Sequence, residues 1–125
     1  MSSANQSIPV LVAGALGRMG SEVVKAINSS KDFQLVGAID NQKDKEGQDI
    51  GSLLGLGELD VFLSSDFEGS LCAASQNVPK DGSNNGAVLV DFTHPKVAYR
   101  HTRTSIAYGV HPVICLLYTS DAADE

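Results

Sequence analysis

Three glycines spaced three apart, Gly14-x-x-Gly17-x-x-Gly20, follow the apolar run Ile8 to Ala13, and Asp40 closes a second apolar run 20 residues after Gly20. This set of residues could hold a diphosphate. A strand that ends in a glycine turn and opens a helix leaves free backbone N–H groups and the positive end of a helix dipole at one spot. Gly14 can take the turn out of the strand. Gly17 lets the helix start approach a phosphate with no Cβ in the way, and Gly20 lets the helix lie close on the strand. The strict Gly-x-Gly-x-x-Gly pattern is absent, because Ala15 stands where its first glycine belongs. Asp40 sits where a dinucleotide fold carries its ribose-binding acid. A carboxylate there repels a 2′-phosphate and favours NAD over NADP; Arg18 or Lys43 could reach such a phosphate and offset the repulsion. For Lys43 the balance falls on an ordinary solvated loop residue.

A second constellation is Val90-Asp-Phe-Thr-His-Pro95, at the end of another apolar run. Ligands bind at that edge of open α/β sheets. Phe92 offers a flat apolar surface and Thr93 a hydroxyl. Asp91 reads as a residue that orders the loop. A lone histidine before a proline, His94, reads as a helix-start residue sooner than as a general acid. No Ser/His/Asp or Cys/His set points to covalent catalysis, no catalytic residue is assigned, and no cluster has metal-ligand spacing.

The elements that must position these groups are legible from pattern. Ile8–Ala13 is short, β-branched and continuous, the mark of a strand buried on both faces. Residues 17–30 read as a helix whose stripe Met19, Val23, Ile27 packs on the sheet. Phe33 to Asp40 is a second strand, which completes a β-α-β unit. Residues 41–57 read as a long loop with one turn of helix, and Val61 to Ser64 as a short strand. Asp66 caps a short helix running through Leu71 to Ala74. Residues 77–86 are turn chemistry throughout. Ala87 to Phe92 is a firm strand. Pro95 starts a helix with Val97, Ala98 and Ile106 as buried candidates, and Val110 to Ile114 is the last strand. Strands alternating with helices predict an α/β fold: a Rossmann-type parallel sheet with flanking helices and right-handed crossovers, incomplete at its C-terminal end.

Composition fits that class. The chain has 125 residues, a single domain by size, with 42% hydrophobic and 19% charged residues. A net charge of −6 with no basic run argues against a nucleic-acid surface. No apolar stretch is long enough to span a bilayer, and residues 1–7 lack the pattern of a signal peptide. Cys72 and Cys115 read as free thiols in a reducing cytoplasm.

Taken together, Val12-Ala-Gly-Ala-Leu-Gly-Arg-Met-Gly20, Gly37-Ala-Ile-Asp40, Asp49-Ile-Gly51 and Val90-Asp-Phe-Thr-His-Pro95 resemble the nucleotide-binding half of the 4-hydroxy-tetrahydrodipicolinate reductase (dihydrodipicolinate reductase) family. The resemblance covers residues 8–114. It implies an NAD(P)H-dependent oxidoreductase that reduces 4-hydroxy-tetrahydrodipicolinate to tetrahydrodipicolinate on the diaminopimelate route to lysine. By position, Gly14, Ala15, Leu16, Gly17, Arg18 and Met19 would hold the pyrophosphate and Asp40 the ribose, while Phe92 and Thr93 would line the cofactor. The cofactor is NADPH or NADH. Asn41 follows the acid where the family often has a basic residue, which leaves the choice open, and an arginine is common where His94 sits. The full-length family is expected to be a cytoplasmic homotetramer.

The resemblance ends at Ile114, where the family continues Gly-Thr-Thr-Gly and this chain has Cys115-Leu-Leu-Tyr118. Residues 1–114 are therefore read as the dinucleotide-binding domain. Residues 115–125 are read as a non-family tail, disordered or of out-of-frame or adapter origin, and the substrate domain as absent. On that reading the chain binds the dinucleotide as a fragment, inactive alone, and meets the dicarboxylate substrate only in the full-length enzyme. Two other readings are a non-catalytic dinucleotide-binding module and the cofactor domain of another dehydrogenase, such as one acting on aspartate semialdehyde or homoserine.

Overall fold

A computed structural model describes residues 7–76 and 86–115. The elements run β1 (Ile8–Ala13), α1 (Arg18–Asn28), β2 (Phe33–Ile39), α2 (Ile50–Leu53), β3 (Leu63–Ser64), α3 (Phe67–Ser75), β4 (Val88–Asp91), α4 (Pro95–Ala107) and β5 (His111–Ile114). The strands form one sheet in the order β3-β2-β1-β4-β5, and every pairing between them is parallel. This is the doubly wound order whose winding reverses beside the first strand, between β1 and β4, and that reversal opens a crevice at the carboxyl edge.

The central strand explains the two-faced core. Val10 and Val12 face one cluster with Ala15, Val24, Ile27, Ala38, Ile50 and Leu63, while Leu11 and Ala13 face another with Ile39, Leu71, Ala87, Leu89 and Val110. Both faces are covered, as the continuous apolar run requires.

Two helix faces differ from expectation. On α1 the buried line is Gly20, Val24 and Ile27, not Met19, Val23 and Ile27; Met19 is 42% exposed and Val23 is half-buried. The apolar count chose Met19 because glycine carries no hydrophobic signal, yet Gly20 is where the helix touches the strand. On α4 Ile106 is 63% exposed, Val97 is half-buried, and the buried residues are Ala98 and Ser105. Ser105 satisfies itself by donating its hydroxyl to His101 O at 2.7 Å, so a polar residue fits where apolarity was sought.

The expected caps hold. Asp66 Oδ1 accepts from Gly69 N at 3.0 Å, and Pro95 opens α4 behind His94, whose Nδ1 accepts from Lys96 N at 3.0 Å. The long loop carries a 3-10 turn, Lys43–Lys45, and one short α-helix, α2, and Asp49 organises it. Its carboxylate accepts from Ser52 N at the start of α2 and from the Leu59, Asp60 and Val61 amides at 2.7–3.2 Å. Desolvation pushes this carboxyl up, and the four amides more than reverse that, holding it below the usual carboxylate range. The turn residues 77–85 and all of the expected tail except Cys115 lie outside the described residues. Among the described residues, no helix is long and apolar enough to cross a membrane.

Candidate functional site

The glycine turn is built by close backbone packing. Gly14 has φ +82°, and a Cβ there would sit 3.3 Å from the Phe92 backbone and Cβ. Gly14 N and Ala15 N both donate to Ile39 O, at 2.8 and 3.1 Å, and Gly17 N donates to Gly14 O at 3.0 Å. A Cβ on Gly20 would lie 2.0 Å from Gly14 O, so only glycine lets α1 seat on the turn. Gly17 is the N-cap in extended backbone, and no side chain caps the helix. The first intrahelical bond runs from Ser21 N to Gly17 O at 2.9 Å, which leaves the amides of Arg18, Met19 and Gly20 ahead of it without helical acceptors.

Asp40 stands across from this helix end. Its Oδ2 accepts from Leu16 N at 2.9 Å, so the acid braces the turn itself. One carboxylate oxygen is thereby used, and Oδ1 is left for another donor. Asp40 also borders a cleft of about 380 Å³ at the carboxyl edge, together with Gly14, Phe67, Thr93, His94 and His101.

The far wall of the cleft, formed by Thr93, His101 and Phe67, is backed by a hydrogen-bonded cluster centred on Asp91. Asp91, 1% exposed at the end of β4, accepts from Thr93 N at 3.0 Å and from Thr93 Oγ1 at 2.6 Å through Oδ1. Its Oδ2 lies 2.9 Å from His101 Nδ1 on α4, and the His101 ring stacks on Phe67 of α3 at 3.8 Å with 13° between planes. Burial pushes the Asp91 carboxyl up, but the bonds from His101 and Thr93 outweigh it and hold the group below the ordinary carboxylate range. The folded value is thus lower than the unfolded one. The resulting stability is complete above the unfolded value and is lost as pH falls through the folded one. Unfolding free energy measured by urea titration should accordingly drop as pH is lowered below about 4, with Asp91 contributing to the drop.

The structure brings Gly14, Asp40 and Thr93 together around the cleft, with Gly17, Arg18 and Met19 exposed at the adjoining helix end. Ala15 is buried and Leu16 packs its side chain into the core beneath α1, so these two face the turn through their backbone. Phe92 packs against that same core and against Gly14, outside the wall of this cleft. Lys43 is exposed in a 3-10 turn, as a solvated loop lysine should be. Asp91 orders its loop as read, and in addition grips α4. Phe67 and His101 were not anticipated. One signal was available: His101 follows His94 by seven residues, two helical turns, and so shares the face of α4 that looks at the strand end.

Comparison with known proteins bears on this geometry. The family described as Dihydrodipicolinate reductase, N-terminus, matches residues 8–116. A 4-hydroxy-tetrahydrodipicolinate reductase from Prochlorococcus marinus (strain NATL2A) is 97% identical over 126 aligned residues, which take in all of this chain and 45% of that protein. The chain thus spans less than half the length of that relative. A dipicolinate-bound dihydrodipicolinate reductase from Paenisporosarcina sp. TG-14 superposes with a TM-score of 0.64 at 23% identity, over 95% of this chain and 41% of that one. The repressor RSP in complex with β-NAD+ and operator DNA superposes with a TM-score of 0.63 at 14% identity, over 94% of this chain and 54% of that one. The last two likenesses concern the fold.

Proposed function

From the premise that the chain belongs to the family of dihydrodipicolinate reductase N-terminal domains, we infer that its cleft binds NADPH or NADH and serves the reduction of 4-hydroxy-tetrahydrodipicolinate in the longer protein. One observation carries the reading. The uncapped amides of Arg18, Met19 and Gly20 open beside the β1–β4 crevice, on a turn that tolerates no Cβ at Gly20. Such a turn, closed to side chains and rich in unpaired N–H groups, suits a pyrophosphate.

The parts divide as follows. Gly14 to Met19 cradle the two phosphates through backbone N–H groups, with the Arg18 guanidinium at the exposed helix end beside them. Asp40 accepts from the ribose hydroxyls with Oδ1 while Oδ2 stays on Leu16 N. Thr93 borders the cleft on the other side, and Phe92 backs the turn, holding Gly14 where the cofactor passes. The bound nicotinamide supplies a hydride. The substrate is met in the longer protein, where hydride donor and acceptor carbon can be held in near-attack geometry. The reduction belongs to lysine biosynthesis by the diaminopimelate route and proceeds in the cytoplasm.

Fluorescence titration of the purified chain with NADH and NADPH tests this reading, and no binding of either at millimolar concentration would refute it. Asp40→Ala should weaken NADH about ten-fold or more, since a hydrogen bond to a charged group contributes about 1.5–3 kcal/mol. NADPH should lose less, because its 2′-phosphate does not share that carboxylate. Equal losses would remove Asp40 from the ribose site.

A further inference from the structure

Thr93, His101 and Phe67 line a side of the cleft away from the glycine turn and Asp40, and the buried Asp91 holds Thr93 and His101 from behind. Their bonding fixes the hydrogen on the histidine. Asp91 lies buried with its carboxyl held in the charged form, and a carboxylate only accepts. Nδ1 of His101, 2.9 Å from Asp91 Oδ2, must therefore carry the hydrogen it donates. Stacking on Phe67 fixes the ring plane. Among the described residues Nε2 has no hydrogen-bond partner, and in the neutral ring it is a bare acceptor on a residue that borders the cleft. His101 borders both this cleft and a second pocket lined by Phe67, Glu68, Arg100 and Thr104, and the Nε2 lone pair is what its neutral ring offers a ligand there.

We propose that His101 is a specificity-determining residue that reads the 6-amino group of the adenine in the bound dinucleotide, with Asp91 and Thr93 as positioning residues that set its tautomer. The inference rests on the dinucleotide reading above and deepens it. Adenine offers an N–H donor at its 6-position, which a bare imidazole nitrogen accepts. Hypoxanthine offers a carbonyl oxygen there, so two lone pairs would face each other. A site built to accept a hydrogen bond discriminates strongly against a ligand lacking the donor. Thr93 contributes by occupying Asp91 Oδ1 with both its N–H and its hydroxyl, which reserves Oδ2 for the histidine.

Binding of NADH and of deamino-NADH, its hypoxanthine analogue, to the purified chain tests the proposal. The chain should bind NADH about ten-fold more tightly than the analogue. His101→Asn keeps an N–H donor for Asp91 and removes the Nε2 acceptor, so the ratio should fall to near one while the fold survives. Asp91→Asn goes further. Its side-chain oxygen must stay with the two Thr93 donors, which turns its NH2 toward Nδ1 and moves the histidine hydrogen to Nε2. That variant should reverse the preference in favour of deamino-NADH, an outcome that a merely structural role for Asp91 does not produce. Equal binding of the two dinucleotides by the unaltered chain overturns the proposal and leaves the dinucleotide reading standing, as does a ten-fold ratio retained in His101→Asn. Failure to bind either one overturns both.

Discussion

Gly20→Ala should destabilise the chain by about 3 kcal/mol, the upper part of the range for overpacking a close contact. The added methyl would lie 2.0 Å from Gly14 O, 2.8 Å from Gly14 C and 3.2 Å from Ala15 Cα. All three are backbone atoms of a turn already fixed by bonds to Ile39 O, so none can swing aside. Either α1 slides off β1, or the turn opens. In the first case Val24 and Ile27 lose their seat in the core; in the second the amides of the helix start lose their alignment. A melting temperature lower by roughly 10 °C should accompany the loss. Gly47→Ala is the comparison, because Gly47 has φ +84° but open space around its Cβ position, so only backbone strain of about 1 kcal/mol applies. Urea unfolding of both variants checks the ranking. A Gly20 variant that loses less than the Gly47 variant would mean that the helix–turn contact is looser than described.

Asp91→Ala should cost about as much, about 3 kcal/mol, through loss of acceptors instead of excess volume. The carboxylate is buried and serves three donors: Thr93 N, Thr93 Oγ1 and His101 Nδ1. Removing it leaves Thr93 N without its acceptor, leaves Thr93 Oγ1 and His101 Nδ1 only their 3.4 Å contact with each other, and cuts the tie between the end of β4 and the middle of α4. The acid-range behaviour supplies a second readout. The unaltered chain loses stability as pH falls through the lowered Asp91 value, and Asp91→Ala should show a shallower fall over the same range. Stability against pH for both proteins checks this. Parallel curves would show that Asp91 is not the group responsible.

Much of the architecture was legible because the signals were local. Continuous β-branched runs named the strands, Asp66 and Pro95 named helix starts, and the glycine triplet named the turn. What escaped was tertiary. Gly20 outranked Met19 on α1 because close backbone approach leaves no hydrophobic mark. Ser105 outranked Ile106 on α4 because a hydroxyl bonded to its own helix buries at little cost. The role of Asp49 within Asp49-Ile-Gly51 depends on amides ten to twelve residues ahead, and on Gly51 lying where a Cβ would meet Gly57 O. The Asp91–His101 pair joins a strand end to a helix two turns in, and Phe67 arrives from a third element, so the seven-residue step from His94 to His101 was the one local hint and it named neither partner.

The sheet order has a bearing on how the chain is made. β1 is synthesised first and lies at the centre, yet its partner on one side, β4, begins only at Val88. At the usual ~5–20 residues per second, the edge that β4 will cover stays unpaired on the ribosome for several seconds or more. Non-local parallel pairing of this kind is slow to form. Val10, Val12 and their neighbours are therefore a natural target for a nascent-chain chaperone, and crowded expression at high temperature should be where yield suffers first.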